Sequence, residues 1–415
     1  MKRILSALVL TLMVTAMLPG IAGAEPDVTP RILLDGYPLA FPVAPVIIEG
    51  RTMVPFRAIA EALGVKVEWD QESSSVQARG LGHTLRLTIG QKSMLVDDVP
   101  AQLDVAPMIV NSRTLIPLRA FTTAFGARVG WIQESRTVTV QSPVRSMRTM
   151  AFYALRSYAD RDLVPRFSDV AYGWATLTAD DKVDLEHGEY RWPVPDGDVT
   201  GERLLDEAAR ASTRRHLMIQ ARDGKGDLTA LVLNDRRIDM AAAEVAAVVQ
   251  AKGFDGVVLD MEGLGLTERG EELQRIRRGF TRFVAAVAAR LRPAGRETIV
   301  SVHPLNGAYH GYDYAALALE ADLLQVMAHD YTQDGNPEPS EMVDEAIQLA
   351  LEQLGTDRSE KLMLGIVTAY ENPETLPVKV GLAKRYNLAG ISVWRLGAIS
   401  AEEVTALAAS VSPRK

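Results

Sequence analysis

Three regimes of hydrophobic and polar spacing follow one another along the chain. The first is an apolar run from Ile4 to Leu18, preceded by Lys2 and Arg3 and followed by Pro19, Gly20 and Ala22-Gly23-Ala24. A basic start, a short apolar core and an A-x-A ending form the pattern of a cleavable export signal. The core is about 15 residues and breaks at Pro-Gly, short of the ~20 that span a bilayer. Residues 1–24 are therefore read as a signal peptide, with cleavage expected after Ala24.

The second regime repeats itself. Val43-Ala44-Pro45 recurs as Val105-Ala106-Pro107, Arg51-Thr52 as Arg113-Thr114, Pro55 as Pro117, Arg57 as Arg119, Gly64 as Gly126, Trp69 as Trp131 and Val76 as Val138. The offset is 62 throughout, and about half of the positions from Val43 to Ala78 are identical to their partners. A constant period means one supersecondary unit used twice. Each copy predicts a short strand ending in Pro and a helix over Phe56–Leu63 or Leu118–Phe125. The helix stops at Gly64 or Gly126, and a strand over Val65–Trp69 or Ala127–Trp131 follows.

The third regime, residues 146–415, alternates short apolar runs with helical periodicity. Strands are expected at Thr149–Leu155, Asp169–Trp174, His216–Ala221, Gly256–Glu262, Thr298–His303, Leu323–His329, Lys361–Val367 and Gly390–Leu396. The clearest helices are Glu202–Ser212, Met240–Lys252, Glu268–Leu291, Glu341–Leu354 and Glu374–Tyr386. Strand–helix alternation over ~270 residues predicts an α/β fold, a (β/α)8 TIM barrel of the usual ~250-residue size. A smaller α+β domain of two tandem repeats, residues 31–141, precedes it.

Composition then removes whole classes of chemistry. The 415 residues include no cysteine and six histidines, with 45 Lys+Arg against 53 Asp+Glu. Disulfides, thiolate metal sites and a cysteine nucleophile are excluded. A net charge of -8, or -10 once Lys2 and Arg3 are cleaved away, argues against a nucleic-acid partner. The arginines of Glu268–Leu291 lie opposite an apolar stripe and read as a solvated helix face. After the signal, no segment has 18 uninterrupted apolar residues, so no membrane association is expected beyond cleavage. Carboxylates are left as the carriers of chemistry.

The most informative stretch is Phe254-Asp255-Gly256-Val257-Val258-Leu259-Asp260-Met261-Glu262-Gly263. On a strand, alternate side chains share a face, so Val258, Asp260 and Glu262 point one way and Val257, Leu259 and Met261 the other. Two acids facing a barrel interior are tolerable at its C-terminal mouth, where such barrels keep their active sites. By spacing alone, the pair is equally an acid cluster satisfied by arginine or by helix N-termini.

These residues resemble the D-G-x-D-x-D-x-E signature of glycoside hydrolase family 18. Asp255, Gly256, Asp260 and Glu262 match, and Val258 replaces the middle acid. Gln325-Val326-Met327-Ala328-His329-Asp330 resembles the family's Q-x-M-x-Y-D, with His329 in place of tyrosine. Lys361–Ile366 and Gly390–Gly397 resemble its last two strands. The third-strand S-x-G-G is not visible; Ile219–Gly224 stands there instead. The nearest branch is the exported spore-germination and cortex-lytic enzymes that act on peptidoglycan.

The resemblance implies Glu262 as general acid, with Asp260 orienting the substrate's 2-acetamido group. That group's own oxygen would be the nucleophile, a substrate-assisted departure from the two-carboxylate rule. It also implies a polysaccharide substrate, peptidoglycan or a chitin-like polymer, with no metal or cofactor. His329, Asp330, Tyr331 and Trp394 are the candidate substrate contacts. Tyr172, ending the second strand with Trp174, is a further one, with core packing as the other reading. Gln333–Pro339, with Asp334 and Glu338, is expected to form a loop over the mouth. A non-catalytic glycan-binding barrel is the alternative.

The repeats resemble the copper amine oxidase N-terminal-like domain. The name implies no copper chemistry here, since His83 is the only histidine of the region. Cell-wall binding is the sharper expectation for residues 31–141, and the cell envelope the expected location.

Overall fold

The computed structural model describes residues 29–155, 157–332 and 335–415. The expected export signal, Gln333 and Asp334 lie outside them. Among the described residues no helix is long and apolar enough to cross a membrane.

All eight expected barrel strands are present. They are β1 (Arg145–Tyr153), β2 (Asp169–Leu177), β3 (Arg214–Arg222), β4 (Gly256–Glu262), β5 (Glu297–Val302), β6 (Leu323–Val326), β7 (Leu362–Val367) and β8 (Gly390–Trp394). Each pairs in parallel with the next, and β8 returns to β1, closing the sheet. β1 begins four residues earlier than expected because Arg145–Met147 also pairs with Val411–Pro413. The long helix Gly270–Leu291 buries Leu273, Ile276, Phe280, Phe283, Val284 and Val287 and leaves Arg275, Arg278 and Arg282 exposed, as its apolar stripe predicts. The short helices Asp227–Val232, Tyr314–Glu320 and Ala401–Ser410 were not expected from the pattern.

Alternation sorts β4 as its sequence predicts. Val257, Leu259 and Met261 pack outward against the helices, and Val258 packs inward with Met150, Ala171, Met218, Ile299 and Met363. Below this apolar layer lies an ionic one. Arg148 donates to Asp169 at 2.5 and 2.9 Å and to Glu297 at 2.6 Å, and His216 Nε2 sits 2.9 Å from the same Asp169. Arg214 closes the cluster on Glu297 at 2.7 Å. Gly256 makes the room: a Cβ there would lie 2.7 Å from His216 Nδ1. Burial alone would raise the Asp169 carboxyl, but hydrogen bonds from His216 and Arg148 outweigh it and hold it below the ordinary carboxylate range. Asp169, His216 and Glu297 have the composition of a cation site, but the Arg148 guanidinium already supplies their positive charge.

The repeat module shows the 62-residue period in most of its elements; the strand His83–Thr88 has no counterpart within it. The helices Phe56–Ala62 and Leu118–Ala124 correspond, as do the strands Arg51–Pro55 and Arg113–Pro117, and Lys66–Asp70 and Arg128–Ile132. Gly64 and Gly126 end the helices at φ +70 and +77, a left-handed conformation that glycine adopts without strain. The first strand, Arg31–Leu34, crosses over to pair in parallel with the last, Thr137–Gln141, and so closes the module.

Only Ser142-Pro143-Val144 separates that last strand from β1, so the module packs directly on the barrel. Asp35 accepts from Ser142 N and Oγ at 2.8 and 2.6 Å, and Tyr37 donates to Asp344 at 3.2 Å. Arg145 bridges Leu63 O at 3.2 Å and Lys384 O at 2.8 Å. Arg145 opens β1 and Lys384 lies in the last turn of helix Leu376–Arg385, so the module sits at the end where the strands start. The opposite end, the mouth, is left open.

Candidate active site

The interior residues one layer above Val258 line a cavity of about 300 Å³ at the mouth. Strand register assembles it. Asp260 pairs with Ser301 on β5, Ser301 with Gln325 on β6, and Arg222 at the end of β3 pairs with Glu262 at the end of β4. Gly365 on β7 has no Cβ because one would collide with Gln325 Nε2.

Asp260 is 6% exposed, and Glu262 keeps about a quarter of its side-chain surface open to solvent. Burial first, and the Glu262 charge second, push Asp260 up to about 8. Glu262 is also raised, chiefly by burial, against the lowering effect of Arg222 and His329. Burial thus holds both carboxyls of the pair toward their protonated forms, with Ser301 beside Asp260. Val258, sealed in the apolar layer, offers Asp260 no partner below, so its polar contacts lie on the mouth side. The result is a buried carboxyl raised above its ordinary range beside a second carboxyl that faces the cavity, an arrangement suited to a general acid with a neighbour that tunes it.

Asp255, the first acid of the signature, does none of this. It lies at the strand-start end, where it accepts from Arg215 N, Nε and Nη2, each at 2.9 Å, and clamps β3 to β4.

The structure brings His329, Asp330, Tyr331 and Trp394 to the same cavity as Asp260 and Glu262. His329 Nδ1 lies 3.1 Å from Asp330 Oδ2. Tyr331 donates to Asn306 at 2.9 Å. Trp394 leans on Phe152 with ring centroids 5.2 Å apart, its peptide to Arg395 cis. Glu338 lies outside the cavity lining. Its carboxylate accepts from Asp330 N and Tyr331 N at 2.7 and 3.2 Å and pins that turn.

Tyr172 is corrected. It is 1% exposed, stacks on Trp174 at 4.3 Å and donates to Leu204 O. Asp169 and Ala171 face the barrel interior, so alternation turns Tyr172 and Trp174 outward into the helix layer. The aromatic walls are instead Phe152, Tyr190 and Tyr309, which stacks on His303 at 4.2 Å. Burial, and second the nearby His329, push His303 down to about 4, so it is neutral and its Nε2 accepts from Gly263 N. Arg222, Ser301, Gln325 and Tyr190 were not singled out as site residues. Counting in steps of two from the strand ends would have flagged Ser301 and Gln325 once register was known.

A closed eight-stranded parallel barrel with a buried acid pair at its C-terminal mouth is an architecture that barrel glycosidases use. The chain belongs to glycosyl hydrolases family 18, whose profile matches residues 152–370, just over half of its length. The profile of the copper amine oxidase N-terminal domain matches residues 33–140. Solved structures show the same fold. A chitinase from Chromobacterium violaceum is 19% identical over 63% of this chain and 98% of its own, with TM-score 0.52. The Bacillus cereus spore cortex-lytic enzyme SleL is 17% identical over 66% and 76%, with TM-score 0.53. The Ostrinia furnacalis Group IV chitinase in complex with allosamidin is 13% identical over 63% and 98%, with TM-score 0.52. No curated protein matches the chain in sequence.

Proposed function

We propose that this glycosidase is exported and cleaves β-1,4 bonds next to N-acetylglucosamine in peptidoglycan, by substrate-assisted catalysis with retention. The Asp260–Glu262 pair carries the reading. Glu262 protonates the glycosidic oxygen as the bond to C1 breaks. The 2-acetamido carbonyl oxygen closes on C1 from the other face, and water then opens that ring intermediate. The acetamido N–H donates to Asp260, which favours its ionised form and moves the shared proton to Glu262, where the chemistry needs it. Gln325 Oε1 is buried with no hydrogen-bond partner among the described residues, an acceptor suited to a substrate N–H or O–H. Trp394 supplies the floor, while His329, Asp330 and Tyr331 form the wall opposite Arg222. Export rests on the Lys2–Ala24 pattern, and the wall substrate on the kinship with spore cortex-lytic enzymes.

The pair needs one proton to act. Since Asp260 sits near 8, kcat/KM is expected to hold through neutral pH and then fall about tenfold per unit in more alkaline solution. A profile flat to pH ~10 would remove the pair from the mechanism. Digestion of purified peptidoglycan and of chitin oligosaccharides, followed by new reducing ends, tests the substrate reading. Tight binding without cleavage would favour the scaffold alternative.

For the repeat module we propose wall attachment through a groove of about 660 Å³ between its copies. The groove is bordered by Trp131, which is 39% exposed, and by the Arg51–Asp104 pair at 2.6 Å. Trp131→Ala is expected to lower co-sedimentation with insoluble peptidoglycan roughly fivefold or more, as loss of an exposed aromatic anchor does. Cleavage of soluble oligosaccharides should be unchanged. An unaltered bound fraction would refute attachment here.

A further inference from the structure

Arg222 is out of place for a site whose acid must hold a proton. It ends β3 directly across from Glu262, with Nε 3.6 Å from Glu262 Oε2, too far for a hydrogen bond. Its side chain is 66% exposed and makes no hydrogen bond among the described residues. The guanidinium therefore faces the open cavity with its two terminal nitrogens unused. Among the described residues that line the cavity it is the one permanently charged cation, since burial keeps His303 neutral. Glu262 is faced by Asp260 from its own strand, Arg222 from β3, Tyr190 beyond β2, His303 beyond β5, and His329 and Asp330 beyond β6. Of these, Arg222 is the group that opposes Glu262's protonation most.

We propose that Arg222 is a specificity-determining residue that recognises a carboxylate carried by the glycan itself. An N-acetylhexosamine polymer with a carboxylated ether on alternate sugars, as N-acetylmuramic acid carries where its peptide has been removed, presents such a group beside the cleaved bond. Chitin presents none. The planar fork of arginine matches a carboxylate through two parallel hydrogen bonds, which a loose contact with Glu262 leaves available. Pairing with the substrate also neutralises the field that Arg222 exerts on Glu262. A carboxylated chain is thus both held and given a better-protonated acid, whereas a neutral chain meets an acid partly disarmed. This inference rests on the hydrolase reading above and names peptide-free chains as the form of the wall glycan that the mouth selects.

The test uses one polymer in two forms: peptide-free peptidoglycan chains with free lactyl carboxylates, and the same chains with those groups converted to primary amides. Wild type, Arg222→Gln and Arg222→Lys are compared by kcat, KM and pH profile. Wild type is expected to prefer the free carboxylates by about 10- to 100-fold in kcat/KM, the span of a hydrogen bond to a charged group. Arg222→Gln should lose that preference yet cleave the amidated chains, with its alkaline limb displaced to higher pH because a positive neighbour of Glu262 is gone. Arg222→Lys, which keeps the charge without the fork, should retain the wild-type limb and part of the preference. Equal rates on both forms by wild type, or an undiminished preference in Arg222→Gln, would overturn the assignment and leave the hydrolase reading intact. Cleavage of chitin oligosaccharides with neither wall polymer attacked would overturn both.

Discussion

Glu262→Gln is expected to lower kcat on N-acetylhexosamine chains about 10²- to 10⁴-fold, the usual contribution of a positioned general acid. Glutamine keeps the size and the hydrogen bonding of the side chain but has no proton to give to a leaving oxygen. Glu262 touches solvent and the cavity rather than the packed core, so the fold should survive and KM should change little. The substitution also removes the second contribution to the raised Asp260 carboxyl, the Glu262 charge. Asp260 should then ionise at lower pH, which is visible as a shifted carboxyl titration even where no turnover is seen. Wild-type rates from a folded Glu262→Gln protein would exclude Glu262 as the acid.

The second large effect is on stability. Asp169→Ala removes the acceptor shared by Arg148 and His216 at the sealed end of the barrel, where Asp169 and His216 are fully buried. Removing one partner of a buried ion pair leaves an uncompensated charge and typically costs about 3–5 kcal/mol. Glu297 remains within 2.6 Å of Arg148, which places the expectation toward the lower value. Because the folded-state carboxyl is held below its ordinary range, its contribution is present above the unfolded pKa and is lost as pH falls through the folded one. Urea unfolding should therefore show wild type weakening below about pH 4, the unfolded carboxylate range, with the alanine variant less sensitive there. A loss under ~1 kcal/mol at pH 7 would mean that Arg148 is satisfied without Asp169. The apolar layer containing Val258 separates this cluster from the mouth, so the folded variant should keep its activity.

Much of this was legible along the chain. The 62-residue period gave the strand–helix–strand unit of both copies, down to the glycines that end their helices. Strand–helix alternation gave all eight barrel strands, because buried parallel strands read as short apolar runs whatever their partners. In β4 the two-residue period alone put Asp260 and Glu262 on one face with Val258. The same rule, applied to Asp169, would have turned Tyr172 into the helix layer; an aromatic near a strand end is a sugar contact only if its parity matches. The three short helices escaped because each has fewer than three turns and gains its stability from the barrel surface rather than from its own periodicity.

What the sequence determined by itself is everything that depends on local period and residue type: the repeat, the eight strands, the acid pair and the absence of thiol chemistry. Only the tertiary structure decided what lies beside what. Ring closure and register set Arg222 against Glu262, Ser301 against Asp260 and Gln325 beside Ser301, across separations of tens of residues. They also sank Arg148, Asp169, His216 and Glu297, drawn from four strands, into one buried cluster. Side-chain direction along a strand follows from backbone geometry that every residue carries with it. Register across strands is fixed only when the whole barrel finds the one closure that buries its apolar layer and pairs its charges.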